Sequence, residues 1–311
     1  MLYGEEKIEK SVEDYLKREN IKIPEKNLNS ILLELKAWLK PSVKDSGVVK
    51  TERGDYTLIH PDYGEPYHSL TAGAIGECME KFLLPSGLLE MAKTYRKIRI
   101  LDIGFGLGYN TAIAIKKLKD VNPALEIEIL SFEKRLPDEA PPLPDEYEGL
   151  RKRIWDKLPY FKEEGVCFKL HLGDARDTIR KVPSFSAHAV FHDAFSPYRN
   201  PELWSFHFLS QVKRLMDEEG VWVSYSSALP VRKALSELGF KLFSTSGVGR
   251  KRGGTVACLK VKNELEEVDK LKLEASPYAI PFLDPSVDRE PIEIIVDYRI
   301  RVELLKISQG F

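Results

Sequence analysis

Four acidic residues and a run of glycines carry the chemistry visible in this chain. Asp102-Ile-Gly104-Phe-Gly106-Leu-Gly108 follows an apolar run, Ile98–Ile103, and leads into a helical stretch, Thr111–Leu118. Glycines let a backbone turn tightly and approach a ligand closely, and the helix behind them offers free N–H groups. Glu133 ends the next apolar run, in Ser131-Phe-Glu-Lys. A carboxylate at such a strand tip can accept both hydroxyls of a ribose. Asp174 follows Gly173 at the end of a third run, and Asp193 closes a fourth, in Phe191-His192-Asp193-Ala-Phe195-Ser-Pro197. A carboxylate in Asp193's place can take a hydrogen bond from an amine, orient it and later receive a proton. His192 precedes it on the same strand, so its side chain points the other way and reads as structural.

The elements that must position these residues follow from periodicity. Short β-branched runs at Ile98–Ile103, Ile127–Phe132, Cys167–Leu172, Ala189–His192 and Val221–Tyr225 alternate with helical stretches, which implies βαβ units and a parallel sheet. The last two runs, Phe240–Ser244 and Thr255–Lys260, are joined by too short a segment for a crossover helix and must pair as an antiparallel hairpin. Such a sheet resembles that of class I methyltransferases, mostly parallel with an antiparallel last strand. A dinucleotide fold would normally continue parallel, and Tyr109 stands where a dinucleotide fingerprint requires its third glycine. Upstream, residues 5–20 and 27–39 read as amphipathic helices around Pro24, and Val48–Lys50 and Tyr56–Ile59 as a hairpin. A charged helix after Lys262 and one terminal helix, Arg289–Lys306, complete the chain. The expected fold class is α/β, a Rossmann-like class I methyltransferase sheet with an N-terminal helical and hairpin extension (1–66), a central domain (67–262) and a C-terminal extension (263–311).

Composition narrows the setting. A net charge of −1 excludes a uniformly basic nucleic-acid binder, yet Ser227–Lys262 holds eight Lys/Arg against one acid, Glu237. That stripe fits either a polyanion partner or a solvated hairpin. The three cysteines form no CxxC pair, so neither a metal site nor a disulfide framework is expected, and a reducing cytoplasm fits best. No signal peptide is recognisable, and no uncharged apolar run approaches the roughly 18 residues that span a bilayer. A soluble protein with no membrane partner is expected.

Several motifs together resemble one family. Gly54-Asp-Tyr-Thr-Leu, Tyr67-His-Ser with Gly73-Ala and Glu77, Asp102–Asn110, Ser131-Phe-Glu-Lys, Gly173-Asp, His192–Trp204 and Gly247-Val-Gly-Arg250-Lys-Arg252 look like the methyltransferase half of the MnmC family. The resemblance spans about residues 50–260. It implies S-adenosyl-L-methionine as cofactor and tRNA as partner. The implied reaction is N-methylation of 5-aminomethyl(-2-thio)uridine at the wobble position, giving the 5-methylaminomethyl form. Carried over, Tyr67, Ser69, Glu77, Asp102, Gly104, Gly106, Gly108, Asn110, Glu133, Asp174, Ala175 and Asp193 hold the cofactor, with Asp102 receiving its amino group and Asp174 its adenine. Asp193 and Phe195 border the acceptor, with burial against Phe195 and Tyr198 favouring the neutral amine. Arg199, Arg250, Lys251 and Arg252 meet tRNA phosphates. The FAD oxidase half of that family has no counterpart before Phe311, so no FAD and no oxidase activity are expected, and separate enzymes would make the aminomethyl precursor. The N-terminal helices either contact tRNA or pack against the sheet, the second being favoured. The rivals are a polyamine aminopropyltransferase or another class I methyltransferase acting on a small amine. A dinucleotide oxidoreductase and a non-catalytic tRNA-binding protein fit the residues less well.

Overall fold

The computed structural model describes residues 3–42, 47–245, 253–260, 266–268 and 270–310. Each apolar run of the central region becomes a strand: β4 (Lys97–Ile103), β5 (Glu126–Glu133), β7 (Val166–Leu172), β8 (Ala187–His192) and β9 (Met216–Ser224). These five pair in parallel. The hairpin strands β10 (Lys241–Ser244) and β11 (Thr255–Cys258) pair antiparallel, and β11 inserts between β10 and β9. With β6 (Tyr160–Glu163) on one edge and β12 (Glu266–Glu267) on the other, the sheet runs β12-β10-β11-β9-β8-β4-β5-β7-β6. This is the class I methyltransferase fold. β6 buries only Phe161 among its four residues, too little apolar signal to be read as a strand beforehand.

Strand order decides where a ligand can go. From β4 the chain moves outward to β5 and β7, then returns to β8 on the other side of β4. The connections therefore diverge above the β4/β8 tips and leave a crevice there, the general ligand position of open α/β sheets. Helix α6 (Tyr109–Val121) starts at that switch point, and α8 (Ala175–Arg180) starts beyond β7 with the Asp174 side chain capping its Arg176 N–H. Helices α7 (Asp145–Trp155), α9 (Phe206–Arg214) and α10 (Leu229–Glu237) cover the faces.

A second, three-stranded sheet stands over the crevice: β1 (Gly47–Lys50), β2 (Tyr56–His60) and β3 (Glu65–Pro66), all antiparallel. The hairpin expected from sequence gains β3 as a third strand. After it come α3 (Ala74–Glu77), a π-helical turn (Cys78–Leu83), α4 (Leu84–Ser86) and α5 (Leu88–Ala92).

The N-terminal helices α1 (Glu5–Arg18) and α2 (Glu25–Trp38) pack on the terminal helix α12 (Pro291–Ser308), which a Glu290/Glu293 capping box starts; the short α11 (Lys270–Ala275) precedes it. Ile8, Val12, Ile31 and Leu35 share one apolar cluster with Leu101, Val190 and Ile295. Polar ties complete the joint: Tyr15 Oη donates to Asp297 at 2.7 Å, and Arg299 pairs with Glu34 and Glu303. The first and last segments are thus parts of the sheet's own packing.

Candidate active site

The glycine turn is shaped by the loop opposite. Gly104 has φ +93°, and a Cβ there would stand 2.6 Å from the Asp193 carbonyl oxygen. The β4 and β8 tips approach this closely because Asp193 N–H continues the sheet ladder to the Ile103 carbonyl at 2.8 Å. Gly106 has φ +53° and leaves room for the Tyr67 ring, which a Cβ would meet at 3.0 Å. Only glycine adopts these conformations without strain.

Around these tips lies a cavity of about 790 Å³, within the range of small-molecule sites. Gly104, Gly106, Glu133, Asp174, Ala175, Asp193 and Phe195 all line it, together with Tyr67, Ser69 and Glu77 from the segment above. Glu133 accepts backbone N–H bonds from Gly106 (2.9 Å), Lys134 (2.7 Å) and Arg135 (3.3 Å), which orient its carboxylate; burial nevertheless raises its pKa. Ser69 and Glu77 are bound to one another, Ser69 N–H donating to Glu77 Oε2 at 2.7 Å, and so shape the upper wall.

Of the other expected site residues Arg199 lines the same cavity, while Asp102, Gly108, Asn110 and Tyr198 lie outside its lining. Asp102 is 1% exposed beneath the floor, where Ser131 Oγ donates to it at 2.7 Å and Thr111 Oγ1 at 3.4 Å; burial pushes its carboxyl up to about 7. It does not line the cavity itself, and its Oδ1 has no hydrogen-bond partner among the described residues. Gly108 caps α6 against the Phe105 ring and also stands back from the cavity. Asn110 is 5% exposed and donates from Nδ2 to Asp193 Oδ2 at 2.8 Å, so its partner is the candidate base. Tyr198 turns away onto Trp38, ring centroids 4.6 Å apart, and does not face the acceptor. Arg199 is 7% exposed rather than presented to tRNA. It donates to the carbonyls of Trp38, Lys40 and Tyr63 and pairs with Glu65 at 3.1 Å, consuming its charge inside the fold. The resemblance implied a phosphate contact for it; its partners lie more than a hundred residues upstream. Arg250, Lys251 and Arg252 lie outside the described residues.

His192 packs between Trp204 and Trp222, and burial lowers its pKa to about 3. It is structural, as its strand parity implied. The loop after Asp193 is braced from behind: Tyr225 Oη donates to the Ala194 carbonyl (2.8 Å), Trp204 Nε1 to the Phe195 carbonyl (2.8 Å), and Ser196 N–H to Glu65 (3.0 Å).

Two cavity residues had no sequence signal. Tyr63 stacks on Phe195 with centroids 4.4 Å apart, and His60 meets the same ring edge-on at 4.9 Å. Tyr67 adds a third edge at 5.2 Å. Burial lowers the His60 pKa, keeping it neutral, and raises those of Tyr63 and Tyr67. A carboxylate oriented by an amide therefore shares one cavity with a neutral aromatic wall. Together with the glycine turn and the strand-tip carboxylates, this fold and site define a class I S-adenosylmethionine-dependent methyltransferase.

Comparison with known proteins is consistent with that class. The family model of S-adenosyl-L-methionine-dependent methyltransferases matches residues 148–260. The crystal structure of MnmC2 from Aquifex aeolicus superposes with a TM-score of 0.89 at 48% identity, covering 96% of this chain and 98% of that one. An uncharacterized protein of Methanocaldococcus jannaschii is 33% identical over 285 residues, 88% of this chain and 77% of that protein. The tRNA 5-methylaminomethyl-2-thiouridine biosynthesis bifunctional protein MnmC of Burkholderia mallei is 28% identical over 221 residues, and the match takes in 33% of its length. The chain belongs to the MnmC2 family.

Proposed function

We propose that this enzyme transfers a methyl group to the aminomethyl nitrogen of 5-aminomethyl(-2-thio)uridine at the wobble position of tRNA. The observation that carries the reading is Asp193, held by Asn110, in the same cavity as the Phe195–Tyr63–Tyr67–His60 wall. An aromatic wall suits a base turned out of its stack, and a carboxylate suits the amine that the base carries. The MnmC relatives, named for 5-methylaminomethyl-2-thiouridine biosynthesis in tRNA, support the same substrate.

When bound, the cofactor supplies an electrophilic methyl group. The chain's own residues do the rest. Glu133 presents a carboxylate to the ribose end, and Gly104 and Gly106 keep the turn low enough for a ligand to lie over it. In-line displacement requires a nitrogen lone pair aimed at the methyl carbon. An alkylamine with a lysine-like pKa of about 10 is mostly protonated at neutrality. The aromatic wall disfavours the ammonium by desolvation, while Asp193 favours it; Asp193 also accepts the proton that leaves. The basic stretch Arg250–Arg252 is assigned to tRNA phosphates, and its triple alanine variant should weaken tRNA binding and flatten the salt dependence. An unchanged salt slope would place the RNA surface elsewhere.

The testing experiment offers labelled S-adenosylmethionine with three acceptors: tRNA carrying 5-aminomethyluridine, tRNA with an unmodified wobble uridine, and putrescine. Label entering only the first supports the proposal. Label on unmodified tRNA removes the aminomethyl acceptor, and a reaction with putrescine favours the small-amine alternative.

A further inference from the structure

The aromatic wall carries one polar edge that methyl transfer as described does not use. His60 ends β2, lines the cavity and is held among the Tyr63, Tyr67 and Phe195 rings, with centroids 4.9, 5.6 and 4.9 Å away. Its two ring nitrogens have different surroundings. Nδ1 accepts the backbone N–H of Asp62 at 3.1 Å and that of Tyr63 at 3.4 Å, both from the turn that follows β2. Nε2 makes no hydrogen bond among the described residues and is not one of their fully buried atoms, so it stays open to an incoming ligand.

Those contacts fix where the proton sits. A backbone N–H can only donate, so the nitrogen that receives two of them is the unprotonated one. Burial first, and the charges of Arg135 and Lys134 after it, lower the ring's pKa against the opposing charge of Asp62, so the ring is neutral. A neutral imidazole with a bare Nδ1 carries its proton on Nε2. His60 therefore offers the acceptor wall a donor of fixed polarity: it can give a hydrogen bond there and cannot take one. Two backbone bonds hold the ring before any ligand arrives, so little ordering is needed to use it.

The chemistry of the pyrimidine says what such a donor meets. The aminomethyl group sits on ring carbon C5, and the neighbouring C4 carries O4, an acceptor; cytidine carries an amino donor in the same place. With the aminomethyl nitrogen at Asp193 and the ring against the aromatic wall, the 4-position is the polar substituent nearest the reacting end, whereas the 2-position lies across the ring. We propose that His60 Nε2 donates a hydrogen bond to O4 of the wobble base and so selects a uracil ring over a cytosine, an assignment that rests on the aminomethyluridine reading. O4 is the same whether position 2 holds oxygen or sulfur, so the contact serves both forms of the substrate.

The test uses two ligated tRNAs that differ in one nucleotide, 5-aminomethyluridine or 5-aminomethylcytidine at the wobble position. Initial rates with the wild-type chain should give a kcat/KM at least about tenfold higher for the uridine tRNA, because a donor facing the cytidine amino group leaves both groups unpaired. His60→Phe keeps an aromatic ring in the wall and removes the donor. Its kcat/KM for the uridine tRNA should fall about tenfold, and its preference should shrink to within about threefold. His60→Gln, whose amide can either donate or accept, should restore most of the uridine rate while raising the cytidine rate, and it serves if the phenylalanine variant does not fold. S-adenosylhomocysteine titrated calorimetrically should bind both variants as it binds the wild type. A wild-type preference retained in either variant would overturn the proposal, as would equal rates on both tRNAs with the wild type, or cofactor binding lost in step with the rate. A wild type that methylates neither tRNA would remove the aminomethyl acceptor itself, and the His60 contact with it.

Discussion

Gly104→Ala tests whether the close approach of the β4 and β8 tips positions the reaction. The added Cβ would lie 2.6 Å from the Asp193 carbonyl oxygen, against an ordinary C···O contact of about 3.3 Å. The two tips must therefore part by about 0.7 Å. The backbone at φ +93° adds a conformational cost of about 1–3 kcal/mol for a residue with a side chain. Taking about 2 kcal/mol and 2–4 °C per kcal/mol for a chain of this size or somewhat smaller, the melting temperature should fall by about 4–8 °C. A displacement approaching 1 Å at a reacting group can reduce rate by about 10²-fold, so turnover at saturating cofactor should fall by somewhat less than that. The control is Gly149→Ala on α7, where a Cβ meets nothing within 4 Å and φ is ordinary. It should stabilise the chain by about 0.5–1 kcal/mol and leave the rate unchanged. Initial rates of methyl transfer to tRNA and thermal melts of both variants supply the data. A Gly104→Ala enzyme with wild-type turnover would show that the approach does not position Asp193.

Other perturbations separate roles within the site. Asn110→Ala should lower kcat by about tenfold, a part of the effect of a positioned base, with little change in the KM for cofactor; a change confined to KM would return Asn110 to the cofactor. Arg199→Ala leaves Glu65 without its ion-pair partner, with only the Ser196 N–H remaining on it among the described residues, and removes the side-chain donor from three carbonyls; it should destabilise the fold by about 3 kcal/mol, with an unchanged salt slope for tRNA binding. A weaker salt slope in a fold of wild-type stability would make it an RNA contact. Asp102, pushed by burial up to about 7 when folded from about 4 when unfolded, favours the protonated fold. Its contribution is fully present below pH 4 and is lost as pH rises through 7. Asp102→Asn stays neutral, so its stability relative to wild type should increase from pH 5 to pH 8. Parallel melting curves across that range would contradict a buried, proton-binding Asp102.

Legibility followed range. The parallel strands and the glycine turn were visible because apolar runs and positive-φ glycines are local signals, and Glu133, Asp174 and Asp193 could be placed once the strand ends were known. Elements with little burial were not, as with β6, where Phe161 alone is covered. Three-dimensional partners were hidden too. His60 and Tyr63 sit in a turn with no motif, and only the fold of β2 and β3 over the crevice brings them to Phe195. Arg199 read as a free cation because Glu65 and the carbonyls of residues 38–63 that neutralise it are remote in sequence. The Asn110–Asp193 hydrogen bond was hidden as well, since a residue at the start of α6 could face either the cofactor or the β8 tip.

The most direct test of the central claim is mass analysis of nucleosides from tRNA of a methylation-deficient strain, after incubation with this enzyme and S-adenosylmethionine. The account predicts that 5-aminomethyl(-2-thio)uridine disappears as a nucleoside heavier by one methyl group appears, with no change when Asp193 is replaced by alanine. Intact 5-aminomethyl(-2-thio)uridine, or a methyl group gained by any other nucleoside, would contradict it.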